Sequence, residues 1–369
     1  MHILITANTS WGLINFRGGL IRTLLADGHK VTALAPPDES TSRLQETGCR
    51  FIPLEMDNKG TSPLRDGALL LKMWRVFRKE RPDVLLSYTI KNNIYGALAA
   101  RLVGIPVLPN VTGLGTVFIK ETWLTTLVKL LYRLGFARAP VVFFLNREDM
   151  SLFVQQKLVA PGQAALLPGE GVDLEHFKPV DRGPDGGPVF LLVARMLWDK
   201  GVGIFVEAAR RIRARHPDAR FQLLGFLDVD NTTAVDRKTM DSWVAEGVVE
   251  YLGSSDDVRP FVATADCIVL PSFREGLPRS LLEAVAMARP IIATDAPGCR
   301  DVVDDGRNGF LCQPRDVDSL ADALERFIAL PPEERRRLGL AGRARAERDF
   351  DEKIIIEAYR DKLSALQQR

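Results

Sequence analysis

Short apolar runs rich in β-branched residues alternate along this chain with longer segments whose apolar positions recur at helical spacing. In the first half these runs predict strands at 2–6, 30–35, 51–54, 84–87, 107–110 and 141–145, with helices near 16–27, 64–80, 92–102, 121–134 and 147–158 between them. Runs such as Ile3-Leu-Ile-Thr6 and Val141-Val-Phe-Phe-Leu145 are apolar on both faces. That is the pattern of parallel strands covered by helices on both sides. From 168 to 188 periodicity gives way to Pro, Gly and charge, which reads as an interdomain linker. The rhythm then restarts, with strands at 189–194, 220–224, 248–252, 267–271, 290–294 and 309–312 and helices near 202–215, 233–245 and from Pro278. The chain is therefore expected to be α/β, with two doubly wound parallel sheets in tandem. Such sheets bind ligands at the carboxyl ends of their strands, so the loops that follow strands are the place to look for chemistry.

Composition narrows the class. With 369 residues, 46% hydrophobic and 26% charged, the chain is long enough for two cores and too apolar for disorder. A net charge of +2 gives no reason to expect nucleic-acid binding, but it hides an asymmetry. Residues 1–180 hold 21 basic and 15 acidic side chains, so the first half carries +6 and the remainder −4. Any acidic surface this protein meets should face its first half. Cys49, Cys267, Cys299 and Cys312 show no paired spacing and read as reduced thiols of a cytoplasmic protein. The start, MHILITANTS, has no secretory pattern, and no stretch is apolar for long enough to span a bilayer. A peripheral membrane contact stays open.

Two strand-end loops carry the most chemistry. Ser272-Phe-Arg-Glu-Gly-Leu-Pro-Arg-Ser-Leu-Leu-Glu283 follows a buried strand and opens a helix, with Pro278 suited to the first helical position and Gly276 permitting close approach of a ligand. The helix start favours an anion, and Glu275 and Glu283 would flank a diphosphate placed there, each able to accept hydrogen bonds from sugar hydroxyls. Arg195-Met-Leu-Trp-Asp-Lys200-Gly201 follows the first strand of the second domain. Its Arg offers a planar fork and its Lys a point charge for the negative charge that grows on a departing diphosphate.

Arg195-x4-Lys200-Gly201 with Glu275-x7-Glu283, in the second of two Rossmann-like halves, resembles the retaining glycosyltransferases of family 4, which have the GT-B fold of two such domains facing a cleft. Gly171-Val-Asp-x3-Phe177 and Pro297-Gly-Cys-Arg300 look like the same family. In the first half, Tyr88-Thr-Ile-Lys-Asn-Asn-Ile-Tyr-Gly96 and Thr112-Gly-Leu-Gly115 resemble the bacterial subgroup that extends sugars on undecaprenyl diphosphate in O-antigen, capsule or N-glycan assembly. The resemblance implies an acceptor-binding domain over 1–170, with a C-terminal helix at 350–369 packing back on it, and a donor-binding domain over 171–349. It implies that Arg195 and Lys200 hold the donor diphosphate, that Glu275 binds the donor sugar with the backbone at Gly276, Leu277 and Pro278, that Glu283 takes the ribose, and that Gly253 and Ser254 lie against the base. It further implies a hexosyltransferase that retains anomeric configuration and uses neither metal nor cofactor. UDP is the favoured donor nucleotide, carrying an N-acetylhexosamine or hexose. Many relatives carry a histidine after the fourth strand where this chain reads Tyr88-Thr-Ile-Lys91, which leaves Lys91 as the nearest polar candidate.

Other features are consistent with this reading. Gly12, Gly18 and Gly19 lack the G-x-G-x-x-G spacing of dinucleotide-binding enzymes, which argues against a dehydrogenase. Asn8 to Arg17 reads as a loop after strand one, in which Asn15 and Arg17 contact donor or acceptor, unless it is a helix start with a solvated Arg. Thr112 and Gly113 are further acceptor candidates. No two histidines share ligand spacing, and Asp228-Val-Asp230 reads as a solvated turn, so no metal site is expected. The segment from Phe118 to Arg138 joins a helical apolar stripe and Trp123 to a basic fringe. It either packs on the sheet or lies on the inner face of the cell membrane, and the positive first half favours the membrane. A sugar-nucleotide epimerase on the same fold and a catalytically silent binding module are the alternatives.

Overall fold

The computed structural model describes residues 1–57, 62–114, 123–180, 186–229 and 231–368. They form two compact units, one of Met1–Glu170 with the chain from Lys353 onward, the other of Gly171–Glu352. In the first unit, seven parallel strands, β1 (His2–Thr6), β2 (Lys30–Ala35), β3 (Arg50–Pro53), β4 (Val84–Tyr88), β5 (Val107–Val111), β6 (Val142–Phe144) and β7 (Ala164–Leu166), run in the order β3-β2-β1-β4-β5-β6-β7. The order reverses between β1 and β4, so the loops leaving those two strands diverge and open a crevice at their carboxyl ends. The helices are α1 (Ser10–Ala26), α2 (Thr41–Glu46), α3 (Pro63–Glu80), α4 (Ala97–Val103), α5 (Trp123–Phe136) and α6 (Arg147–Gln155). A π turn, Asn92–Gly96, leads into α4.

The second unit repeats the plan with β8 (Val189–Val193), β9 (Arg220–Leu224), β10 (Glu250–Tyr251), β11 (Cys267–Leu270), β12 (Ile291–Thr294) and β13 (Gly309–Cys312), ordered β10-β9-β8-β11-β12-β13. Here the reversal lies between β8 and β11. The helices are α7 (Val202–Arg215), α8 (Arg237–Ala245), α9 (Arg259–Thr264), α10 (Arg279–Ala286), α11 (Val317–Ile328) and α12 (Pro332–Arg345), and α13 (Glu352–Gln367) then returns the chain to the first unit. Phe190 on β8 stacks on Phe221 of β9 at 5.1 Å, and Phe205 and Phe327 close over them from α7 and α11. Each such buried ring contributes about 1.5–3 kcal/mol, which fixes the strand ends that carry the site. On α13, Tyr359 is fully buried beside Phe143 at 4.9 Å, and Arg360 grips Asp27 at 2.6 Å.

Local signals place several elements differently from the periodicity. Helix α1 begins at Ser10 because the Thr9 hydroxyl caps it, accepting from the Gly12 N–H at 2.9 Å. Residues 10–17 are thus helix, and the expected loop over 8–17 is corrected to a three-residue turn at 7–9. Pro278 is the N-cap of α10, not its first helical residue. Helix α8 starts at 237, where Asp236 accepts from the Thr239 N–H at 2.7 Å, later than the apolar spacing indicated.

Candidate active site

At the switch between β8 and β11, three loops of the second unit are packed backbone on backbone. After β8 the chain makes one 3₁₀ turn, Trp198–Lys200, and reverses at Gly201 with φ +74°. A Cβ at Gly201 would lie 2.0 Å from the Pro271 carbonyl oxygen, so only glycine lets this loop touch the loop after β11. Two hydrogen bonds tie the same loops, from the Phe273 N–H to the Asp199 carbonyl at 3.0 Å and from the Ser272 hydroxyl to that carbonyl at 3.2 Å. The loop after β12 supports them from the far side. There Gly298, φ +79°, leaves room for the Glu275 and Gly276 carbonyls, which a Cβ would meet at 2.5 and 2.6 Å, while the Glu275 N–H donates to the Pro297 carbonyl at 2.9 Å.

This packing brings Lys200 Nζ to 2.5 Å from Glu275 Oε1, with the two side chains 19% and 13% exposed. Five residues upstream of Lys200, Arg195 is exposed and has no ion pair among the described residues. Gly276, Leu277 and Pro278 are buried at the start of α10, and Glu283 lies one turn further in. The Arg279 Nε donates to Glu283 at 2.8 Å. Burial pushes the Glu283 carboxyl above its usual range, against the pull of Arg279. Gly253, φ +77°, accepts from the Gly225 N–H at 2.8 Å, and Ser254 beside it is exposed. A cation pair and a carboxylate at a strand switch, with a second carboxylate inside the next helix, can hold a diphosphate and the hydroxyls on either side of it.

The first unit treats its candidates differently. Arg17 is 4% exposed, donates to Glu170 at 2.6 Å and lies over the Tyr88 ring at 4.1 Å. The expectation of a ligand-facing loop cation is corrected, because an early start to α1 turns residue 17 inward, where burial demands a counter-ion. Asn15 Nδ2 is buried without a hydrogen-bond partner among the described residues. Lys91 follows β4 and is held by Asp66 at 2.7 Å, whose other oxygen accepts from the Tyr95 hydroxyl at 2.9 Å. Thr89 between β4 and Lys91 has φ +70°, a strained setting for a β-branched residue, and a network through Thr6, Asn92 and Thr89 supports it. Thr112 and Gly113 leave β5 half-buried. Asp66, Tyr95, Glu170 and Arg279 were not singled out by sequence. Only Arg279, at four residues from Glu283 on one helix, had a readable signal.

Among the described residues, no three His, Cys, Asp or Glu side chains converge on a metal position. Asp228 is paired with Arg237, and Asp230 lies outside the described residues. His2, His29 and His216 contact Thr32, the amino terminus and Glu325 respectively, each a local partner. Of the basic apolar segment, residues 118–122 lie outside the described residues. The described helix α5 buries Tyr132 and Phe136 and exposes Leu127, Leu130 and Leu134, so it both packs on the unit and presents an apolar outer face. No helix among the described residues is long and apolar enough to cross a membrane.

Two Rossmann-like parallel-sheet units, ordered β3-β2-β1-β4-β5-β6-β7 and β10-β9-β8-β11-β12-β13, are the architecture of the GT-B fold. The structure of the Anabaena protein HepE in complex with UDP-glucose shares this fold at a TM-score of 0.82 and 19% identity, over 99% of this chain and all of that one. Residues 12–170 match the family described as glycosyl transferase 4-like domain, and residues 187–329 match glycosyl transferases group 1. The chain belongs to this glycosyltransferase family. It is 28% identical, over 97% of both chains, to the N,N'-diacetylbacillosaminyl-diphospho-undecaprenol alpha-1,3-N-acetylgalactosaminyltransferase of Campylobacter jejuni. It is also 29% identical to the UDP-Gal:alpha-D-GlcNAc-diphosphoundecaprenol alpha-1,3-galactosyltransferase of Escherichia coli, over 75% of this chain and 73% of that one.

Proposed function

We propose that this enzyme transfers a hexose or N-acetylhexosamine from a UDP-sugar to a saccharide carried on undecaprenyl diphosphate, with retention of anomeric configuration and without a metal ion, in the assembly of a bacterial surface polysaccharide or glycan. The observation that carries the reading is the Lys200–Glu275 pair at the β8/β11 switch, on the same loop as Arg195, which is exposed and has no ion pair among the described residues. Donor binding separates the pair. Lys200 and Arg195 turn to the diphosphate, where negative charge grows as the glycosidic bond breaks, and Glu275 is released to accept from the sugar hydroxyls. The backbone at Gly276, Leu277 and Pro278 lines the phosphate side, Glu283 takes the ribose, and Gly253 with Ser254 borders the base. In retaining transfer of this kind the leaving phosphate accepts the acceptor's proton, which removes the need for a protein base. The lipid-linked acceptors named for the two relatives support an acceptor of the same chemistry here.

The first unit is the acceptor-binding domain in this reading, with Lys91, Thr112, Gly113 and Asn15 at the carboxyl ends of its strands. Helix α5 rests on the cytoplasmic face of the membrane through its exposed leucines and the basic residues Lys129 and Arg133, with Arg138 in the turn that follows. A mass-spectrometric screen of UDP- and GDP-sugars against undecaprenyl diphosphate-linked acceptors tests the proposal. Transfer from a UDP-sugar, with the new linkage keeping the donor's anomeric configuration, is the expected result. Transfer only to water or to free sugars, or an inverted product, would overturn it.

A further inference from the structure

Helix α3 carries a basic surface that the glycosyl-transfer reading leaves unused. At 100° per residue, Arg78, Leu71, Arg75, Lys79 and Lys72 fall within an arc of about 120° on the helix, and all five are exposed. Leu64, 88% exposed, lies inside the same arc. The two acidic residues of α3 fall outside it and are already neutralised, Asp66 by Lys91 at 2.7 Å and Glu80 by Arg50 at 2.6 Å. Among the described residues, none of the four cations in the arc has an ion pair. A surface of this kind, with cations of one sign interleaved with exposed leucines, is complementary to an anionic, partly apolar partner.

The patch is wider than one helix. Helix α4 packs between α3 and α5, and Arg101 of α4 donates to the Leu134 carbonyl of α5 at 2.7 Å. Between α3 and the turn after α4 lies a cleft of about 640 Å³, lined by Trp74, Arg78, Arg81, Leu102, Ile105 and Pro106. Arg78 lies over the Trp74 ring at 5.3 Å, and Leu102 at the rim is 68% exposed. Asp83 in the same cleft has its Oδ2 occupied by the His2 N–H at 2.6 Å.

We infer that the α3–α4 face is a docking surface for an anionic phospholipid bilayer, with the phosphate of one headgroup seated between Arg78 and Arg81 and the leucines of α3 and α4 at the acyl boundary. Charge complementarity carries the choice of occupant, since four unpaired cations interleaved with exposed leucines match phosphates above hydrocarbon. The inference rests on the reading of the acceptor as lipid-linked and extends the membrane contact from α5 to α3. The test is sedimentation of the full chain with sucrose-loaded vesicles of phosphatidylglycerol and phosphatidylcholine, against phosphatidylcholine alone. The wild type should bind the anionic vesicles only, and less as salt rises. The exposed, unpaired positions allow Lys72→Gln, Arg75→Gln and Lys79→Gln together without loss of fold. At about fivefold per basic residue, that variant should bind roughly 100-fold more weakly while keeping wild-type transfer to a short water-soluble acceptor. Wild-type binding by the triple variant would overturn the inference, even if Lys129→Glu with Arg133→Glu still released the protein and so upheld the α5 contact. Failure of the wild type to bind anionic vesicles would overturn both, while transfer to a detergent-solubilised lipid-linked acceptor would leave the glycosyl-transfer reading standing. Binding to heparin or RNA in place of vesicles would likewise overturn it.

Discussion

Replacing Lys200 with methionine removes the charge and keeps most of the stem, which separates two roles the Lys200–Glu275 pair could have. Breaking a fully buried ion pair costs about 3–5 kcal/mol, because the remaining charge is stranded. At 19% and 13% exposure water reaches both groups, so the cost here should be smaller, about 1–3 kcal/mol. Turnover should fall far more, by about 10²–10³, since a charge aimed at the developing oxyanion is worth roughly 3–4 kcal/mol in the transition state. Glu275→Gln should cost similar stability and also lose turnover. The double variant distinguishes the roles. Stability should return towards wild type, because no charge is left stranded, but turnover should stay as low as in the worse single variant. Urea unfolding and steady-state kinetics with a UDP-sugar give the two readouts. Recovery of turnover together with stability in the double variant, or wild-type kcat in Lys200→Met, would refute the reasoning and leave the pair a structural ion pair.

Arg195→Ala should lose most turnover with a stability change within about 0.5 kcal/mol, because the side chain is exposed and has no ion pair among the described residues to lose; a destabilised variant would show a structural role. Gly201→Ala should destabilise by more than 1 kcal/mol and depress kcat together, since its Cβ would push against the Pro271 carbonyl and move the Lys200 loop off Glu275. Glu283 binds a proton more tightly folded than unfolded, so the stability that protonation supplies is present at low pH and is lost as pH rises through the raised pKa. Glu283→Gln removes the cost of burying that charge but leaves Arg279 without its carboxylate, so it should lose less stability at neutral pH than Glu275→Gln, with a smaller loss of turnover, and a larger drop in melting temperature than that of Glu275→Gln would contradict this. Activity should survive EDTA, and a strict Mg or Mn requirement would contradict the proposed chemistry.

The sequence by itself determined the two βαβ series, because strands covered on both faces must be apolar throughout, and β1, β2, β9 and β13 begin and end where their apolar runs do. It also named Arg195, Lys200, Glu275 and Glu283, whose spacing places them after strands or inside the following helix. Capping was equally local, yet periodicity obscured it at Thr9, because the buried face of α1 carries Ser10, Arg17 and Gly18 among its apolar residues and so does not read as an apolar stripe over the first turns. Tertiary structure alone decided the partners. Lys200 and Glu275 are 75 residues apart, and Arg17 and Glu170 are 153 apart. Nothing in either segment encodes those meetings. They follow from strand order, which places β8 beside β11 and so brings the loops after them together, and from backbone contacts that only glycine permits. Arg17 looked like a surface cation because its type and neighbours are those of one. It became a buried, paired group because the fold carries Glu170 and Tyr88 to the same place, and a charge that loses its water must gain a counter-ion.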